Sequence, residues 1–457
     1  MRHPSGMTAF TIVWSGQLLS LLGSAMTQFG MTLYVFKETE RATALALMGF
    51  FTFLPLILFS PTAGALVDRW NRKLVMMLSD IAGGTVGLAI FLLYSSGHLQ
   101  IWHLYVGGFV VGTFQAFQWP AYSAAISTMI PKGQYARASG MMSLAESASQ
   151  IGAPILAAAL LGLIGLQGIL LIDITSFVIA ILTLSWVHIP QPKASAEGLQ
   201  ARGNLLQESL FGFRYILARP SLLGLQTVFL FVNLFSNFGF TVMAAMILSR
   251  TGQNQLALGS VESAAGLGGV LGGLLLSVWG GPKRKVKGVL FGMALGGLLS
   301  AIPMGIGQSL PIWMAAAFLG SLVTPILNGS NQAIWQAKVP PDIQGKVFSA
   351  RRMIAWLASP IAMLLAGPAA DRLFSPALMP GGALVDTFGP LVGVGPGAGM
   401  GLMLVLAGAA EVIVALGAYM IPVIRGAEEL IPDHAQTHED EPSSTQNEGG
   451  AAAPAQT

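Results

Sequence analysis

The amino-acid sequence predicts an all-α integral membrane protein with twelve transmembrane helices in two six-helix, pseudo-repeated halves. Three observations carry this. Only 9% of the 457 residues are charged, and mean hydropathy is +0.67. Soluble domains carry roughly 25% charged residues, so a chain with this composition needs a second, apolar solvent. Twelve apolar runs recur, each near the roughly 20 residues needed to cross a hydrocarbon core. Lysine and arginine crowd into every second loop.

The runs fall at about 9–36, 44–66, 74–95, 101–128, 140–165, 167–188, 220–248, 257–280, 287–308, 311–336, 350–373 and 399–424. The first lacks the flanks of a cleaved signal peptide and reads as a retained span. Of 23 basic residues, only Lys37, Arg41, Arg250 and Arg372 fall in one set of alternate loops. The positive-inside rule puts the other set, and both termini, in the cytoplasm. A miscounted span would scramble this alternation. The organisation expected is a first half at 1–188, a cytoplasmic linker at 189–219, a second half at 220–424 and a disordered tail at 425–457. Within the linker, Leu205, Leu206, Leu210, Phe213 and Ile216 repeat at helical spacing and predict an amphipathic surface helix over about 203–217. The tail is polar, acidic and rich in Pro, Gly, Ser and Gln.

The 56 glycines suit close helix packing in a bilayer. With no cysteine there is no disulfide and no thiolate chemistry. The net charge of +3 is spread over short clusters and does not point to nucleic acid. No phosphate-binding G-x-x-x-x-G-K-[ST] loop supports an ATP-driven pump. The six histidines sit at loops, span edges and the tail, without a metal-binding spacing, so neither an enzyme nor a cofactor or metal site is expected.

The halves match at an offset of 209 residues: Gly64 falls on Gly273, Trp70 on Trp279, and Arg137 on Lys346. A parallel repeat of six spans is a transporter architecture, with the substrate site between the halves near the midplane.

Residues 64–73 read G-A-L-V-D-R-W-N-R-K. This resembles the signature loop of the major facilitator superfamily, with Gly64, Asp68, Arg69, Arg72 and Lys73 matching and Asn71 in place of a glycine. The resemblance implies the major facilitator fold and a conformational latch. Asp68 would sit at a facing helix N-terminus, favoured by about 0.3–1 kcal/mol, or pair with arginine. Asp80, two turns further, is expected to form an ion pair with Arg72 and Lys73 near the same face. Q-L-L-S-L-L-G-S at 17–24, F-Q-W-P-A-Y at 117–122 and Asp371-Arg372 resemble the drug-efflux branch, which includes macrolide and siderophore (enterobactin) exporters. Gly152-Ala153-Pro154 resembles an incomplete antiporter motif. The arginine that many drug/proton antiporters carry in the fourth span is absent from 101–128.

A carboxylate inside a span costs roughly 2.5–3.5 kcal/mol on insertion scales and is a functional suspect. Glu146, Asp173 and Glu411 are the proton-coupling candidates; Glu262 reads equally as a gate or as a wetted surface group. Gln17, Gln28, Gln115, Gln118, Trp119, Asn233, Asn237, Asn328, Asn331 and Gln332 offer uncharged polar groups among aromatics. In the superfamily the first, fourth, seventh and tenth helices line the cavity, and these residues fall on them. The few cations read from these four spans argue against multivalent anions. The expected protein is a monomeric secondary transporter of the plasma membrane that exports a small amphipathic compound, with protons as coupling ion and a role in drug resistance. Uptake of a small metabolite is the alternative.

Overall fold

In lipid no water satisfies backbone N–H and C=O groups, so apolar runs of this length must fold as helices. The structure, a computed structural model, describes residues 4, 6–131, 134–190, 205–340 and 343–430. The first half holds α1 (Gly6–Thr39), α2 (Ala42–Arg69), α3 (Arg72–Ser95) and α4 (Ile101–Met129), then a helical run Tyr135–Trp186. That run has 52 residues, far more than one crossing needs, and it turns at Gly165, whose φ of 64° suits glycine. It therefore forms two antiparallel crossings, α5 (135–164) and α6 (166–186). Ten described helices are long and apolar enough to span a membrane, that run among them. α4 is not, because Gln115, Gln118 and His103 lower its hydropathy, yet it packs between α2 and α3. The described residues thus make twelve crossings.

The amphipathic helix α7 (Leu205–Leu217) follows. Ile216 is buried against Trp335 and Val339, and the Tyr215 hydroxyl donates to the Lys338 carbonyl at 3.3 Å. The side chains of Leu205, Leu206 and Leu210 lie outside the described residues. The seventh span is α8 (Pro220–Thr241) with α9 (Met243–Arg250), and the eighth is α10 (Gln255–Trp279). The ninth runs from α11 (Lys285–Gly296) through a π-turn (Gly297–Ala301) into α12 (Ile302–Ile306). The tenth is α13 (Leu310–Lys338). The eleventh is α14 (Gln344–Ala369), a π-turn (Ala370–Phe374) and α15 (Ser375–Leu378). A short α16 (Val385–Val392) precedes the twelfth span, α17 (Ala398–Met420), and the turns α18 (Pro422–Arg425) and α19 (Ala427–Leu430). The tail is thus ordered for longer than composition predicts: Ala427 is buried, and the Glu428 carboxylate accepts from the first N–H groups of α11, Lys285 at 2.9 Å and Val286 at 3.0 Å. Residues 431–457 lie outside the described residues.

Each half packs chiefly on itself. α2 against α14 and α5 against α10 join the two. Where they join is informative. At the face opposite the basic loops, one apolar core runs through both halves, from Phe36 and Ala42 to Ala158, Leu258, Ala366 and Met400. Toward the basic face the cores are separate, one in the first half around Phe10, Met76 and Leu184, another in the second around Leu225, Val289 and Ala415. The α5–α10 seam shows the same split. A Cβ on Gly259 would lie 2.9 Å from the Pro154 carbonyl oxygen and one on Gly266 2.7 Å from Ile151, whereas Gly269 and Gly273 face open space. The halves are therefore closed on the far face and parted on the basic face.

Gly259→Val is expected to wedge the closed seam and favour the opposite state. Gly273→Val leaves this state intact. The chain has no cysteine, so a single cysteine placed at Thr32 reports this directly. Its labelling by a membrane-impermeant thiol reagent from the far side should rise several-fold with Gly259→Val and not with Gly273→Val.

Candidate functional site: a central cavity between the halves

The parting of the halves leaves a cavity of about 740 Å³, walled by Gln28, Phe29 and Thr32 of α1, Ser149, Gln150 and Pro154 of α5, and residues of the seventh to tenth and twelfth spans. Its walls are small, apolar and carboxamide groups, with two carboxylates, Glu262 and Glu411. Glu411 is 4% exposed. It sits across from the π-turn of the ninth span, where a Cβ on Gly297 would lie 2.4 Å from the Gly408 carbonyl oxygen. The glycines thus let α17 approach closely and bring Glu411 to the cavity wall. π-turns often mark functional positions in helices. Ser236 is the hydroxyl that its carboxylate faces, and Oε1 has no hydrogen-bond partner. Glu262 is half-buried and makes no hydrogen bond or ion pair with described residues.

Phe229, Asn233 and Asn328 also wall a second pocket of about 390 Å³, nearer the basic face. Asn237, Asn331, Gln332, Phe53 and Trp356 line it, together with Arg351 and Arg352. Sequence reading assigns these two arginines to the basic loops. The structure places them two turns into α14, inside the cleft, so the cavity is not poor in cations.

Of the polar residues proposed for the cavity, Gln28, Asn233, Asn237, Asn328, Asn331 and Gln332 line these two spaces. Gln17 and Gln118 turn elsewhere. Their amide nitrogens donate to Asp80 at 2.8 and 2.7 Å, and Gln118 also reaches Gln17 at 3.2 Å. Asp80, wholly buried, therefore joins α1, α3 and α4 within the first half. The expected ion pair with Arg72 and Lys73 does not form: Arg72 donates to the Ala124 carbonyl at 2.8 Å, and Lys73 caps the end of α6 through the Ser185 and Val187 carbonyls at 3.0 and 2.8 Å. Two amides satisfy a carboxylate in the interior where the loop cations cannot reach. Asp80→Ala strands both carboxamides and is expected to destabilise the protein by about 1–3 kcal/mol. A lowered Tm in detergent, largely recovered in Asp80→Asn, checks this.

Gln115 and Trp119 are exposed, one turn apart on α4, and line neither space. Asp173 accepts from the Ser24 hydroxyl at 3.1 Å in the α1–α6 seam, away from both. Glu146 is exposed one turn below Gln150, toward the basic face, and has no hydrogen bond or ion pair among the described residues. The sequence suggests a group sealed from solvent; it is not sealed while the cleft is open on that side.

The side chains of Gly64, Asp68 and Arg69 lie outside the described residues. Asn71, the departure from the signature, caps α3 by accepting from Leu74 N–H at 3.2 Å. A helix-end latch of the kind foreseen for Asp68 is present on the far face, made by Asp371. Arg41, the residue before α2, caps it with no side-chain hydrogen bond. Instead the carboxylate of Asp371, from the other half, accepts from Ala42 N–H at 3.0 Å, Thr43 N–H at 2.9 Å and the Thr43 hydroxyl. It is both a cap and an anion at the positive end of α2.

Compared with known proteins, residues 13–363 match the Major Facilitator Superfamily. The chain belongs to that superfamily. It is 28% identical over 368 residues to Macrolide efflux protein A of Streptococcus pyogenes, covering 80% of this chain and 90% of the relative. It is 24% identical to the Multidrug efflux pump Tap of Mycolicibacterium fortuitum, covering 78% and 90%. Among solved structures, a bacterial homolog of the human lysosomal transporter Spinster, inward-facing and unoccupied, superposes with TM-score 0.66 at 16% identity over 93% of this chain and 98% of that one. This superfamily member is a multi-pass membrane transporter of small molecules, not an enzyme.

Sequence reasoning missed Arg351 and Arg352 as cavity residues and Asp371 as a latch. Helical position held the signal for the arginines: seven and eight residues past the start of α14 is too deep for loop charges. For Asp371 the signal was an acid at the end of a span beside an uncapped helix start.

Proposed function

We propose that this transporter exports a small amphipathic compound, drug-like, macrolide-like or siderophore-like, by proton antiport with alternating access, as a monomer in the plasma membrane with its basic face and both termini in the cytoplasm. The observation that carries this is Glu411: a buried carboxylate, short of a hydrogen-bond partner, on the wall of a cavity parted toward the basic face. The relatives named for macrolide and multidrug efflux favour export.

An unpaired carboxylate is costly at this depth, so the cavity favours either a proton on Glu411 or a cationic solute beside it. A solute entering from the basic side displaces the proton to that side. The halves then rock, closing the α5–α10 seam at Gly269 and Gly273 and parting it at Gly259. The solute leaves from the far face, Glu411 takes a proton there, and the neutral site returns. Glu146 lies on the segment of α5 that the rocking would cover, which makes it the relay between Glu411 and the cytoplasm. Asp173, sealed between α1 and α6, is a helix-joining group.

The test is accumulation of radiolabelled erythromycin in cells expressing the chain. Expression should lower the steady-state level several-fold, and a protonophore should restore it. Raised accumulation would instead establish uptake.

A further inference from the structure

Arg351 and Arg352 have a geometry that positive-inside charges do not need. A charge that only sets orientation sits at the end of a span, in water. These two lie two turns inside α14, against the pocket wall. The Arg351 guanidinium donates through Nη2 to Gln332 Oε1 at 2.8 Å and lies 5.4 Å from the Trp335 ring and 5.3 Å from that of Phe348. Its carbonyl accepts from the Gln226 amide at 3.0 Å, which fixes the backbone from the seventh span. Nη1 is buried with no partner. Arg352, exposed in the cleft, lies 5.8 Å from the Trp356 ring. Among the described residues no carboxylate pairs with either.

Two adjacent cations without a counter-ion repel each other, and a buried N–H without an acceptor is costly. An oxyanion bridging the two guanidiniums relieves the repulsion. Arginine forks suit that geometry. Among the carboxamides that line this pocket, an aromatic pair joins the two halves: Phe53 of α2 and Trp356 of α14 stand in contact, with ring centroids 5.9 Å apart.

We propose that this pocket binds an oxyanion, the carboxylate or phosphate of an amphipathic molecule, on Arg351 and Arg352, with its apolar body packed against the Phe53–Trp356 ring pair. This goes beyond export by proton antiport. It concerns binding alone, so it stands or falls without reference to direction or coupling. The same chemistry is offered by a soluble organic acid and by an anionic phospholipid of the bilayer.

The experiment is titration calorimetry on the full chain in phosphatidylcholine nanodiscs, with 2-naphthoxyacetate and its uncharged amide, 2-naphthoxyacetamide. The carboxylate should bind at least about tenfold tighter, as expected for charge-assisted bonds. In Arg351→Gln, and separately in the exposed Arg352→Gln, that preference should collapse while amide binding is kept, which also shows that the variants are folded. Equal affinity of the two probes for the unsubstituted protein, or a preference that survives both substitutions, would overturn the proposal. Nanodiscs containing phosphatidylglycerol then separate the sources. Weakened carboxylate binding there, absent in Arg352→Gln, assigns the pocket to lipid headgroups, and unchanged binding assigns it to soluble acids.

Discussion

Asp371→Ala is expected to release the far face. The carboxylate makes three hydrogen bonds across the two halves, two of them to otherwise uncapped N–H groups at the start of α2. Hydrogen bonds to charged groups are worth roughly 1.5–3 kcal/mol, and the helix dipole adds roughly 0.3–1 kcal/mol. These contacts exist only while the far face is closed, so they bias the equilibrium rather than stabilise both states equally. Water will cap α2 in part once the halves separate. A net shift of about 2 kcal/mol, roughly thirtyfold in the ratio of states, is a reasonable expectation. Spin labels at Arg41 and Arg372, both exposed and on opposite halves, read the far face; labels at Leu144 and Val278 read the basic face. In the unsubstituted protein the first pair should be close and the second far apart. Asp371→Ala should add a population with the order reversed, and Asp371→Asn, which keeps an acceptor without the charge, should fall between. An unchanged distribution would make the carboxylate a local cap.

Glu411→Gln is expected to abolish uphill transport and leave exchange intact. The amide keeps the size of the side chain and its contact with Ser236, so the cavity and the approach of α17 to Gly297 persist. What it cannot do is gain and lose a proton. Concentrative efflux should fall by about a hundredfold or more, the scale of losing one proton-transfer group. Counterflow of labelled against unlabelled substrate should stay within a few-fold of the unsubstituted rate. Glu146→Gln should slow efflux without removing it, because its carboxyl is exposed and off the cavity wall in this state.

The fold was legible in the sequence because its causes are local. A run of 20 apolar residues becomes a helix wherever it sits, and the crowding of Lys and Arg into alternate loops fixes the count. α4 shows the strength of that signal: three polar side chains weaken its apolar character, yet the alternation still demands a crossing there. The site was legible only in part, since burial depends on which helices meet and in which state. Gln17, Asp80 and Gln118 come together from separations of 63 and 38 residues along the chain. Nothing in their own segments says that the two amides serve the acid and not the cavity. Glu146 and Glu411 both read as buried acids, but only Glu411 is on a closed wall while the basic face is open. Arg351 and Arg352 were assigned to a loop by proximity in sequence, when seven residues of helix carry them into the cleft.

The most direct test is proton movement in liposomes containing the purified protein and a fluorescent pH reporter, with an inward-acid gradient imposed and erythromycin added outside. With Glu411 as the coupling group, the drug should speed collapse of the gradient only with protein present, and Glu411→Gln should abolish the effect while binding of the drug persists. Drug-dependent proton movement that is unchanged in Glu411→Gln, or labelled drug that crosses with no proton movement at all, would contradict that role.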